Sequence, residues 1–245
     1  MKPGPNKVIE CPHCGTLHKY GTLLSGNTFR GRVWTDGYAF YPMLPAVPEV
    51  TKCSKCDYIF FLRAAVAVGE YDQWRWPPRQ AERSVPQEWY EAPDIVFMST
   101  DDYYLALSKQ LYSDRGEEMY LCQMAWHTTN HQLRQLPVTS RTATLFRTPN
   151  KPTATQENVV VASSTTVKIL DRLLALLDEQ VPDERILKAE ALRELGRLEE
   201  ALVILKDPFP EKLQELASFI RSLAEQGLFQ VMELPRNQQT VLNER

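Results

Sequence analysis

Two textures of hydrophobic pattern follow one another along the 245 residues. In the first third, apolar residues come in short bursts. Lys7-Val8-Ile9-Glu10 is a β-like run, and Tyr58-Ile59-Phe60-Phe61-Leu62 is a second, bounded by Asp57 and Arg63. Between them, Gly26 to Tyr41 mixes aromatic and β-branched residues with glycines and an Asp36-Gly37 turn signal, which predicts a hairpin. From Ser99 onward the period becomes helical. Ser99-Thr100-Asp101-Asp102 supplies capping residues, Tyr104, Leu107 and Leu111 recur on one face, and a second helix is expected from about Glu117 to His131.

Further on, three narrow apolar stripes mark amphipathic helices: Leu170, Leu173, Leu174, Leu177; then Leu198, Ala201, Leu202, Leu205; then Leu213, Leu216, Ala217, Ile220. None can be buried alone. Short connections at Val181-Pro182-Asp183 and Leu195-Gly196-Arg197 allow neighbouring helices to stack antiparallel. Two stretches lack any period: a Trp/Pro-rich linker from 69 to 98, and a Thr/Pro-rich loop over 137–156. The fold class expected is therefore α+β, a small N-terminal β-rich domain over 1–68 followed by antiparallel helices. The helices divide into a hairpin over 99–136 and a repeat-like region over 157–235.

The chemistry concentrates in two cysteine pairs, Cys11-Pro12-His13-Cys14 and Cys53-Ser54-Lys55-Cys56. Each has the spacing that presents two thiolates to one ion, and four thiolates at about 2.3 Å complete a tetrahedron around zinc. Gly15 suits the turn after the first pair. A redox dithiol is expected near a helix N-terminus in a βαβ setting, which Cys11 does not have. A disulfide framework needs a secreted chain, and the opening Met1 to Asn6 has no apolar core of a signal peptide. We expect one structural Zn2+ per chain on Cys11, Cys14, Cys53 and Cys56, with no open coordination position for catalysis. His13 and His18 are read as surface histidines beside the turn.

Overall composition, 43% hydrophobic and 24% charged with a formal charge of −3, is that of an ordinary soluble protein. No apolar run reaches the 18 or so residues that span a bilayer, so no membrane partner is expected and the location expected is cytoplasmic. Residues 1–65 hold eight Lys/Arg against four Asp/Glu, only mildly basic. Nucleic-acid binding through Lys52, Lys55, Arg30 and Arg32, helped by Trp34 and Tyr38, is a secondary expectation.

His127 and His131 share a helix face, but no Glu follows the first His and no third ligand is evident, so a surface or core-edge role near Met124 is expected. Cys122 is expected to be a buried thiol. No phosphate-binding glycine loop, nucleophile elbow or paired-carboxylate motif is present, and no enzyme activity is expected; an enzyme with a site at the domain junction is the remaining alternative.

The stretch Ala189 to Leu205, with small residues at Ala189 and Ala201, Gly196 at the turn and Leu205 at a large apolar position, resembles a tetratricopeptide repeat. Arg185 stands where that repeat has a large aromatic, and Pro208 where it has a final alanine. A shift of 66 residues pairs Leu107 with Leu173, Leu111 with Leu177, Leu121 with Leu187 and Ala125 with Ala191. The whole layout is similar to that of uncharacterised bacterial cytosolic proteins with a zinc ribbon and repeat-like helices. That resemblance implies an interaction or scaffold protein with a protein or peptide partner, and it specifies no ligand.

Overall fold

The computed structural model describes residues 1–44, 46–72, 85–134 and 164–235. The expected 137–156 loop, Trp74 and Trp76 lie outside the described residues. The chain forms two compact units. The first comprises Met1–Arg32, Ala39–Met98 and Lys109–Leu111, and the second comprises Val33–Tyr38, Ser99–Ser108 and the chain from Tyr112 onward.

In the first unit, strands β1 (Lys2–Glu10) and β2 (Leu17–Ser25) form an antiparallel hairpin. Strands β3 (Arg32–Val33) and β4 (Ala39–Phe40) flank the Asp36-Gly37 turn as the sequence predicts. Strands β5 (Val50–Lys52) and β6 (Ile59–Phe61) form another hairpin, and β7 (Val66–Tyr71) pairs with β1 to give a β2-β1-β7 sheet. β1 carries Pro3 and Pro5 although it is the central strand. The β1–β7 pairing begins only at Asn6, so both prolines sit where the strand has a neighbour on one side, and their missing N–H groups cost no ladder bond.

The described parts of the 69–98 stretch, residues 69–72 and 85–98, carry more structure than their composition suggests. Its first residues complete β7, and Trp89, on the short helix α1 (Gln87–Glu91), covers Gly69, whose missing side chain leaves room for the indole ring. Residues 93–96 then run between two strands. Lys19 donates its amide to the Pro93 carbonyl at 2.9 Å, Ile95 donates to Lys19 at 2.9 Å, and Val96 exchanges hydrogen bonds with the Thr51 hydroxyl at 2.8 and 3.0 Å. Backbone and hydroxyl groups satisfied in this way let an aperiodic segment act as sheet edge.

The second unit is helical: α2 (Thr100–Ser108), α3 (Arg115–Asn130), α4 (Ser164–Leu176), α5 (Pro182–Glu194), α6 (Leu198–Ile204) and α7 (Glu211–Glu225). Each of α2 to α7 packs on the next in sequence, and α5 also packs on α7. The expected start of α2 is a reciprocal cap, in which the Asp102 carboxylate accepts from the Ser99 amide at 3.0 Å and the Ser99 hydroxyl accepts from the Asp102 amide at 3.2 Å. Ile186, Ala189, Leu205, Phe209, Leu213, Ala217 and Ile220 form one buried cluster. Ala125 and Ala191, which the 66-residue offset pairs, are both fully buried, as is Leu173.

The two residues at which the sequence departs from that resemblance meet in the structure: the Arg185 guanidinium lies 4.0 Å over the Phe209 ring and donates to the Pro208 carbonyl at 2.6 Å. Pro208 follows the seven-residue α6, and Gly196 makes the α5–α6 turn at φ 76°.

Candidate metal centre

Both cysteine pairs sit at hairpin tips. Cys11 follows the last residue of β1 and the chain returns as β2; Cys53 follows the last residue of β5 and the chain returns as β6. The two turns repeat one another bond for bond. Gly15 donates to the Cys11 carbonyl at 2.9 Å and Cys11 to the Thr16 carbonyl at 2.9 Å; Asp57 donates to the Cys53 carbonyl at 3.0 Å and Cys53 to the Tyr58 carbonyl at 2.9 Å. In each turn the residue after the second cysteine takes a left-handed conformation, φ 70° at Gly15 and 55° at Asp57.

This repetition brings the four sulfurs together. All lie within 4.8 Å of one another, with Cys11–Cys56 at 3.8 Å and Cys14–Cys53 at 3.6 Å. A tetrahedron with about 2.3 Å metal–sulfur bonds has edges of about 3.8 Å, whereas a disulfide requires about 2.05 Å. The five cysteines are free thiols, so spacing and geometry fit a four-thiolate metal site and no disulfide. Cys11 and Cys53 are buried against Ile9 and Phe60, which closes the site on that side.

Electrostatics point the same way. The Thr16 hydroxyl and amide pull the Cys14 thiol down to about 6, while burial pushes the Cys11 thiol up. At Cys56 the Tyr58 amide favours the thiolate, yet burial and the three neighbouring thiols outweigh it and the thiol rises to about 12. Four clustered thiols resist becoming four anions unless a cation neutralises them. The Lys55 amide directed at Cys53 Sγ, 3.4 Å away, adds a hydrogen bond of the kind that stabilises a ligated thiolate.

His18 differs from the expectation of a surface residue: it is fully buried. It occupies the partner position of Ile9 in the β1–β2 ladder, and strand alternation turns it inward. Its Nδ1 lies 3.1 Å from the Thr16 carbonyl and its Nε2 accepts from the Ser54 amide at 3.1 Å, so it links the two turns without entering the sulfur cluster. His13 is exposed as expected and stacks on Tyr58 at 5.1 Å. Tyr58 also stacks on Phe60 at 6.4 Å. Of the residues named for nucleic-acid contact, Lys52 lies 4.0 Å from the Asp57 carboxylate. Trp34 is buried, and the Arg134 guanidinium covers it and Tyr38 at 5.4 and 4.2 Å.

The helical unit holds a polar network that the sequence reading does not anticipate. Asp36 is buried in an ion pair with Arg134; its carboxylate also accepts from the Asn130 amide at 3.0 Å and the Tyr38 backbone amide at 3.1 Å, and its carbonyl lies 2.9 Å from His127 Nε2. Glu194 accepts from the Trp126 indole at 2.8 Å and from Asn130 at 3.0 Å. Glu190 and Arg193 form a second buried pair, whose guanidinium also donates to the carbonyls of Leu228 and Gln230. Thus His127 and His131 converge on Asp36, Arg134 and Tyr38 and make no metal site. Cys122 is buried as expected, and burial pushes its thiol up to about 12. In the sequence, only the Asp-Gly turn at 36–37 and the histidine pair on one helix face touch this network.

No helix among the described residues is long and apolar enough to cross a membrane. Set against protein-family profiles, curated proteins and solved structures, the chain matches none of them.

Proposed function

We propose that the protein is an interaction scaffold in which a structural zinc ion holds the β unit folded and the helical unit receives a peptide segment of a protein partner. The observation that carries the zinc part is the closed cluster of Cys11, Cys14, Cys53 and Cys56, since four thiolates leave no coordination position for water or substrate. Zinc analysis with thiol counting tests it: one zinc per chain, and four thiols released by a chelator, is the expected result. A metal-free protein with reactive dithiols would replace this reading by a redox one.

The scaffold part rests on the helices. A cleft of about 410 Å³ lies along α6 and α7, lined by Leu202, Val203, Lys206, Arg221 and Glu225. Val203, 70% exposed, stands beside the half-buried Leu202 in this lining and offers an apolar contact at the mouth of the cleft. An amphipathic peptide with an apolar anchor over Leu202 and Val203 and a carboxylate near Lys206 fits this lining. Selection of displayed peptides on the full chain, repeated with Val203→Asp, tests the reading. Peptides lost with the variant support it, and peptides that bind both proteins equally overturn it. Circular dichroism of Cys53→Ser should show helix content largely retained, and collapse of the helices would contradict two separately supported units.

A further inference from the structure

The first unit carries a second surface that the zinc site does not use. Chain segments 24–31 and 41–44 pack on each other through two glycines. A Cβ at Gly26 would lie 2.5 Å from the Met43 carbonyl oxygen, and one at Gly31 would lie 2.6 Å from the Tyr41 ring. This close approach gathers Leu24, Phe29, Met43 and Leu44, all exposed, at one end of the unit.

The foremost element is a constructed turn. Gly31 donates to the Thr28 carbonyl at 2.9 Å and Phe29 to the Asn27 side-chain oxygen at 3.0 Å, while Arg30 takes a left-handed conformation at φ 57°. The turn holds Phe29 at 76% exposure beside the exposed Arg30. A phenylalanine so exposed on a tight turn forgoes most of the burial that stabilises the side chain elsewhere. Charge selects among possible occupants. Between Lys19 and Glu49 the charged residues are Arg30, Arg32 and Asp36, and Asp36 is already paired with Arg134 in the helical unit. The projecting loop is therefore apolar at its tip with a cation beside it, and the stretch from 20 to 35 contributes no carboxylate of its own.

We propose that this loop end docks on an anionic lipid surface, with Phe29 and Leu24 entering the interface and Arg30 meeting phosphate headgroups. Phe29 projects from a turn and Leu24 from the end of β2, which suits a planar, deformable surface. At such an interface a buried aromatic ring and a cation facing anionic headgroups each contribute part of the affinity. Such docking departs from the sequence expectation of no membrane partner, which rests on the lack of an apolar run long enough to span a bilayer, a feature peripheral docking does not need. This inference is independent of both the zinc and the peptide readings.

Co-sedimentation of the full chain with phosphatidylcholine vesicles, with and without about one third phosphatidylserine, tests it. Binding to the anionic vesicles alone, weakened about tenfold or more by Phe29→Ser or by raised salt, is the expected result. Phe29→Trp should give a blue-shifted emission on adding those vesicles, and zinc content and circular dichroism of each variant confirm that the unit is folded. No sedimentation with anionic vesicles at low salt overturns the proposal. So does binding unchanged by Phe29→Ser, or self-association of the lipid-free protein that Phe29→Ser abolishes, which would identify a second copy as the occupant.

Discussion

The imidazole of His18 accepts the backbone amide of Ser54 at 3.1 Å, across a sequence separation of 36 residues. An amide can only donate, so Nε2 is the acceptor and the ring proton resides on Nδ1, directed at the Thr16 carbonyl 3.1 Å away. The Ser54 hydroxyl lies 3.2 Å from the same Nε2. One neutral ring thereby bridges the two cysteine turns, one end on each.

Removing that bridge should loosen the metal site without removing a ligand. His18→Ala is expected to weaken zinc binding about 10- to 100-fold, the usual effect of losing a group that orients ligands. His13→Ala, which removes only a ring stacked on Tyr58, should leave affinity within about twofold of the parent. Competition against a chromophoric chelator measures both, and equal losses would show that His18 acts merely as core.

The two left-handed positions make a paired test of the turn geometry. Gly15→Ala places a Cβ in a conformation that costs about 1 kcal/mol, although open space surrounds the site. Asp57→Gly relieves the same conformation in the second turn and should be neutral or stabilising by a few tenths of a kcal/mol. Thermal unfolding of the zinc-loaded variants reads the difference, and a loss of stability in Asp57→Gly would mean that its ion pair with Lys52 outweighs the relieved backbone.

That contrast explains how much of the site was legible beforehand. The spacing of Cys11, Cys14, Cys53 and Cys56 is local, each pair confined to one turn, so it could be read directly. Gly15 announced its conformation by lacking a side chain, whereas Asp57 adopts the same conformation with none of the compositional signal. His18 was misjudged because its burial follows from strand register: it lies opposite Ile9, and the register depends on where the first turn closes. The helices were legible from their stripes, with α3 found close to its expected bounds. The network around Asp36 was hidden because its members, Asp36, Asn130, Arg134 and Glu194, come from three distant segments that only the folded unit assembles.

Within that network, the buried pair of Asp36 and Arg134 should be costly to split. Asp36→Ala leaves a buried guanidinium without its carboxylate and is expected to destabilise the helical unit by about 3–5 kcal/mol. Removing both charges in Asp36→Ala with Arg134→Met should cost less than the single change. Urea unfolding followed by helical circular dichroism separates the cases, and a double variant worse than the single one would mean that packing of the Arg134 stem over Trp34 and Tyr38 matters more than its charge.

Acid should weaken the helical unit through His131. Burial, with the Arg134 and His127 charges beside it, holds the imidazole down to about 3, and Arg134 donates to its Nδ1 at 2.6 Å, a bond that protonation would break. The unfolded chain binds this proton near 6.5, the folded chain only near 3. Stability from neutral His131 is therefore fully present above about pH 6.5 and is lost progressively as pH falls toward 3, and His127, also held low by burial, acts in the same direction. Glu194 acts oppositely, because burial and the nearby Glu190 and Asp36 carboxylates keep it protonated well above 4.5, so its contribution is lost as pH rises through that raised value. Urea midpoints at pH 7 and pH 4 should converge in His131→Gln relative to the parent, since the glutamine cannot take up the proton. An undiminished drop between the two pH values would move the acid sensitivity away from His131 and onto His127, the other imidazole that burial holds neutral.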